Sequence, residues 1–189
     1  MSNISKPLPF LAKACKAQTA TKLPASRFVK SVLKSFMAES GLEPRLLGPH
    51  LRVTQADHGK VNFELSITKD HTNRLNILHG GTIASMVDLG GSLAVASKGL
   101  YATGVSTDLN VTYLSSGGKI GDKLFATATC DKIGKTLAYT SIVFQNSKGE
   151  LAARGSHTKY VAQAMSAQKG EPYVVPEGAE IDMEEGQKD

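Results

Sequence analysis

The chain has 189 residues, 41% hydrophobic and 21% charged, which fits one globular domain and excludes disorder throughout. Its two cysteines, Cys15 and Cys130, are too few for a disulfide framework or a four-cysteine zinc site and point to a reducing, intracellular compartment. The net charge of +5 is uneven: residues 1–38 hold seven bases and no acid, whereas residues 171–189 hold seven acids against Lys188 alone.

Residues 1–25 read as a basic, flexible extension or a targeting segment, since an acid-free start rich in Lys, Ser and Thr is similar to a mitochondrial presequence. Either a mitochondrial or a cytoplasmic location is therefore expected. Residues 26–38 read as a helix with Ser26 as its cap. Phe28, Val29, Val32, Leu33, Phe36 and Met37 form its apolar stripe, and Gly41 stops it.

Val61, Phe63, Leu65 and Ile67 alternate with polar residues, the period-2 mark of a half-buried strand. Residues 50–56 are its expected partner, turned through Asp57-His58-Gly59. From Gly80 to Lys98 the chain is small, apolar and without alternation, which predicts a helix buried on much of its surface. Gly90-Gly91 inside it costs roughly 1 kcal/mol per glycine relative to Ala, a cost that points to close approach of other backbone. Strands are then expected at 103–114, 122–132, 136–146 and 150–162, joined by short turns. The order is that of an α+β domain with an antiparallel sheet. It is expected to occupy residues 26–162, followed by an acidic disordered tail over 163–189.

Several chemistries are excluded by motif. The sequence has no G-x-S-x-G elbow, no G-x-x-x-x-G-K-[ST] loop, no G-x-G-x-x-G and no H-E-x-x-H. No metal or redox cofactor is called for. No apolar run approaches the ~18 residues of a membrane span. Residues 39–170 keep a net +4, which suits a small anionic ligand but is weak as a nucleic-acid footprint.

Two features remain. His79-Gly80-Gly81 opens the 80–98 helix, where free backbone N–H groups favour negative charge; the alternative is a plain loop. Asp88 is the only carboxylate between residues 71 and 107, either a polar face of that helix or a placed general base.

Taken together, Asn73 to Asp88, the Gly104–Tyr113 stretch, Gly134 to Ala138 and Arg154 to Lys159 resemble the hotdog-fold acyl-CoA thioesterases over roughly residues 27–162. The branch is that of acyl-coenzyme A thioesterase 13 and thioesterase superfamily member 2, with the bacterial phenylacetic-acid-pathway enzymes as relatives. The resemblance implies a long central helix wrapped by a curved antiparallel sheet, in homodimers or dimers of dimers. It implies hydrolysis of acyl-CoA to a free acid and coenzyme A, the coenzyme being part of the substrate rather than a cofactor. Asp88 would activate water or act as nucleophile across a dimer interface. The Gly80 N–H would polarise the thioester carbonyl with Asn73 and His79 beside it, and Ser106 would help hold the water. The coenzyme would be contacted by Ser106, Tyr113, Ser115, Gly118, Lys132, Gly134, Lys135, Thr136, Leu137 and Tyr160, the last standing where the family carries a histidine. The two lysines would suit phosphates, their other reading being solvated turn residues. Release of acyl groups from carrier proteins, or acyl-CoA binding without catalysis, are the alternatives on the same fold.

Overall fold

The computed structural model describes residues 21–168 and 171–183. A two-residue strand, β1 (Thr21–Lys22), leads into helix α1 (Ala25–Glu39), whose buried face is Phe28, Val29, Ser31 and Val32. The helix starts one residue earlier than expected: Pro24 stands at the cap and no side chain, Ser26 included, caps it. Pro fixes φ near the helical value and needs no donor, so the start is set by backbone geometry instead. Short helix α2 (Glu43–Leu46) and a 3-10 turn at Gly48–His50 then deliver the chain to the sheet.

Strands β2 (Leu51–Asp57) and β3 (Lys60–Ser66) form the expected hairpin. Helix α3 (Gly80–Ala96) follows, then β4 (Val105–Tyr113), β5 (Lys123–Ile133), β6 (Leu137–Gln145) and β7 (Leu151–Tyr160). The six long strands make one antiparallel sheet in the order β2-β3-β5-β6-β7-β4, curved around α3. Each strand lies within about two residues of its expected span, because alternation and turn residues act locally.

The approach at the two helical glycines is by side chains, not by the other backbone that was expected. A Cβ on Gly90 would stand 2.8 Å from the Phe63 ring of β3, and one on Gly91 would stand 2.5 Å from the His157 ring of β7. The apolar side chains of α3, among them Met86, Val87, Leu89 and Leu93, join Phe63, Leu65, Leu124, Ile142 and Phe144 in the main core.

The ends of the domain differ from expectation. Residues 163–168 and 171–183 are not a disordered tail: α4 (Ala162–Ala167) and β8 (Val174–Val175) are formed, and β8 pairs antiparallel with β1. The Tyr173 ring packs edge-on against Phe28 at 5.5 Å, its hydroxyl donates to Ser97 O at 2.8 Å, and the Asp182 N–H donates to Ser31 Oγ at 2.9 Å. Tyr173, Val175 and Ile181 supply enough apolar surface to dock an otherwise acidic stretch on α1. Leu23 is likewise in the core, so residues 21–25 belong to the domain rather than to a flexible extension. Residues 1–20 of the expected extension, and residues 169–170 and 184–189 of the expected tail, lie outside the described residues. No helix among the described residues is long and apolar enough to cross a membrane.

Candidate active site

The loop into α3 is held from below by a buried histidine. His71 is fully buried; its Nδ1 accepts from the Thr68 N–H at 2.9 Å and its Nε2–H donates to Leu46 O at 2.7 Å. Burial keeps this ring below the ordinary histidine range, hence neutral, as one accepting and one donating nitrogen require. The His71 carbonyl in turn accepts from the His79 N–H at 2.8 Å and from Thr82 Oγ1 at 3.1 Å.

His79 is the cap of α3, its Nδ1 accepting from the Gly81 N–H at 2.7 Å. That bond places the ring proton on Nε2, so the exposed side of His79 is a donor. Gly80 opens the helix beside it, and the Tyr113 hydroxyl donates to Gly80 O at 2.9 Å. Asn73 has a role within its own loop: its Oδ1 accepts from the N–H groups of Leu75 (2.9 Å) and Ile77 (3.4 Å), which orients the amide. A cleft of about 400 Å³ at this end is lined by Ile77, Gly80, Ile83, Tyr113 and Ser115.

Two turns along α3 stands a second cluster. Ser106 Oγ of β4 donates to Asp88 Oδ1 at 2.9 Å, and His157 Nε2 of β7 lies 2.8 Å from Ser106 Oγ and 3.2 Å from Asp88 Oδ1. The imidazole is fully buried while the Asp88 side chain is 43% exposed, so the carboxylate is anchored from inside and open to water outside. Burial, followed by the Lys159 charge, pushes His157 below the ordinary histidine range, against the pull of Asp88. His157 Nε2 is thus within hydrogen-bonding distance of Ser106 Oγ and stands beside Asp88 Oδ1. Lys159 itself is buried and held below the ordinary lysine range by desolvation, Asp88 opposing.

This is not a serine nucleophile relay. In such a relay the acid binds the imidazole nitrogen opposite the serine. Here Ser106 and Asp88 share the Nε2 side, and Nδ1 is buried without a partner among the described residues. A cleft of about 230 Å³ opens over Asp88, lined by Leu42, Leu46, Leu47, Ala84 and Leu109. A larger groove of about 520 Å³ between α1 and β2 contains none of these residues.

Of the expected contact residues, Gly134, Lys135 and Thr136 form the β5–β6 turn, with Lys132 exposed beside it. Tyr160 pairs with Leu137 on one side and with Val105 on the other, so these residues share one end of the sheet. Ser115, whose hydroxyl donates to Leu151 O at 2.9 Å, and Gly118, with φ of +124°, lie beyond the opposite end of β4, next to Tyr113. Within one chain the expected site residues thus fall into two groups rather than one. As site residues, His157, the leucines at 42, 46 and 47 and the neutral His71 anchor were not singled out by motif. Two ionisable residues, His157 and Lys159, on the inward face of one strand were the available signal.

With this geometry in place, the family model of the thioesterase superfamily matches residues 75–153, from the loop before α3 into β7. Human acyl-coenzyme A thioesterase 13 is 38% identical over 134 residues, covering 70% of this chain and 94% of that protein. The chain belongs to the thioesterase superfamily. The zebrafish thioesterase superfamily member 2 structure superposes with a TM-score of 0.64 at 37% identity, covering 70% of this chain and 94% of its own. The mouse thioesterase superfamily member2 structure gives 0.62 at 34% identity, covering 70% and 96%. This thioesterase-superfamily chain is a hotdog-fold thioester hydrolase, and the fold is the one that the resemblance implied.

Proposed function

We propose that the protein hydrolyses acyl-CoA, with Asp88 as general base and the Gly80 N–H as the oxyanion donor. Water approaching the thioester carbonyl gives a proton to the Asp88 carboxylate as its oxygen bonds to carbon. The negative charge collecting on the carbonyl oxygen meets the Gly80 N–H, backed by the α3 dipole and by the His79 Nε2–H. Breaking the C–S bond, with the proton held on Asp88 passing to the leaving sulfur, then releases coenzyme A as its thiol and the free acid and restores the carboxylate. The leucine-lined cleft over Asp88 suits an acyl chain, and exposed Lys132 and Lys135 suit the coenzyme phosphates.

The observation that carries this reading is the placement of Asp88 and Gly80 at different levels of one helix. Eight residues apart, they are separated along the axis by roughly 12 Å, too far to act on one carbonyl within a single chain. Strand β4 ends the sheet, and residues 105–110 are exposed on both faces in the isolated chain. Pairing it antiparallel with β4 of a second copy would set the Tyr113–Gly80 end of one protomer beside the Ser106–Asp88 end of the other. The two groups of coenzyme contacts, separated along β4 by roughly 26 Å in one chain, would converge in the same way. We therefore place each active site between two protomers of a homodimer, alone or as a dimer of dimers.

The test is thiol release across short, medium, long and aromatic acyl-CoAs by the wild type and by Asp88→Asn. The variant keeps side-chain volume but loses the proton acceptor, so kcat should fall by about 10²- to 10⁴-fold with KM little changed. Wild-type turnover in a variant that melts normally would remove Asp88 from the chemistry.

A further inference from the structure

We infer that His157 is a positioning residue for the Asp88 carboxylate: held as its Nε2–H tautomer above Gly91, it directs a donor at Ser106 Oγ and Asp88 Oδ1 and so selects the oxygen left to face water. The inference rests on Asp88 being the base proposed above.

The tautomer follows from the neighbours. The Ser106 proton is committed to Asp88 Oδ1, so both atoms facing Nε2, the serine oxygen at 2.8 Å and the carboxylate oxygen at 3.2 Å, present lone pairs. A proton on Nε2 satisfies them. The other tautomer would set a third lone pair against these two and bury an N–H at Nδ1, which has no partner among the described residues. The charged groups around the ring are Asp88 of α3, Lys159 of β7 and Asp108 of β4. From β6 comes only the uncharged Thr140, whose Oγ1 donates to His157 O at 2.8 Å.

Space for the ring is made by α3 itself. A Cβ at Gly91 would lie 2.5 Å from His157 Nδ1 and 2.8 Å from Thr140 Oγ1, so any larger residue would displace the imidazole from the carboxylate. The Ser106 hydroxyl donates to Oδ1 and His157 Nε2 stands 3.2 Å from the same oxygen, leaving Oδ2 as the carboxylate oxygen without a donor among the described residues. A carboxylate free to rotate would lose that distinction, and water would meet a misaligned base.

His157→Leu removes the donor and His157→Gln retains one. In the intact oligomer, His157→Leu should lower kcat by roughly tenfold or more with KM within about twofold. The acid limb of its kcat/KM profile should rise by about one pH unit, since a hydrogen bond favouring the ionised carboxylate is gone. His157→Gln should recover most of both. A folded His157→Leu enzyme with unchanged kcat and an unchanged acid limb would overturn the inference. Nitrogen-15 imidazole spectra of the wild type give a second reading that needs neither turnover nor a folded variant. Protonated Nε2 with bare Nδ1 at pH 7 is expected, while Nδ1–H or imidazolium would overturn it. If the wild type releases no thiol from any acyl-CoA, the acyl-CoA hydrolase reading falls, and the spectra still decide the tautomer.

Discussion

At its first turn α3 offers backbone, and two turns later it offers a side chain. The Gly80 end is assembled from neighbours in sequence: His79 caps the helix onto the Gly81 N–H, and Asn73 orders its own loop. The Asp88 end is assembled from three elements, with Ser106 and His157 arriving from β4 and β7. The first end is exposed and built from main-chain donors, whereas the second hangs from a buried imidazole. A group that must present an N–H needs only a helix terminus. A carboxylate that must be oriented and yet reached by water needs side chains fixed behind it by other elements.

The largest effect should come from separating the two ends genetically. Asp88→Asn and His79→Ala chains, each nearly inactive alone, should on unfolding and refolding together recover roughly a quarter of wild-type activity. Half of the dimers would then be mixed, each with one site intact. No recovery in demonstrably mixed oligomers would mean that both ends serve from one chain. Next in size, Lys135→Ala should raise KM roughly fivefold at low salt, about 1 kcal/mol, with a smaller change near 1 M salt and kcat little affected. A kcat loss with unchanged KM would move Lys135 out of phosphate binding.

Acid should loosen both ends together. Burial lowers His71 beneath the Gly80 end and His157 beneath the Asp88 end from an ordinary value of 6.5. The unfolded chain therefore binds protons more readily, so their contribution to stability is complete above pH 6.5 and declines as pH falls below it. Thermal melting at pH 7.5, 6.5 and 5.5 should show that decline, and a flat profile would contradict two buried neutral imidazoles. The smallest effect belongs to Tyr113→Phe, which deletes the hydroxyl bond to Gly80 O. It should cost about 0.5 kcal/mol or less in urea unfolding, because the bond is exposed.

The order of elements was readable in the chain because each signal is local: alternation over residues 61–67, the glycine-bounded apolar run from Gly80, and the short turns between later strands. Composition misjudged the carboxyl-terminal stretch, where Tyr173, Val175 and Ile181 dock on α1 although acids surround them. Charge pattern records the average environment of a segment; which few side chains find a partner depends on what lies across from them. The Gly90-Gly91 pair stood between these cases, since crowding was legible from its cost, whereas what crowds it, the side chains of Phe63 and His157 rather than backbone, was not.

Sequence by itself determined the helix start at His79-Gly80, the single carboxylate on α3 and the strand set that encloses them, because periodicity, capping and turn chemistry act over a few residues. Only the tertiary structure decided that Asp88 hangs from Ser106 and His157, that a neutral His71 holds the loop, and that Asp88 and Gly80 of one chain stand apart. Those outcomes depend on strand register and on distances across the fold, which no residue encodes alone.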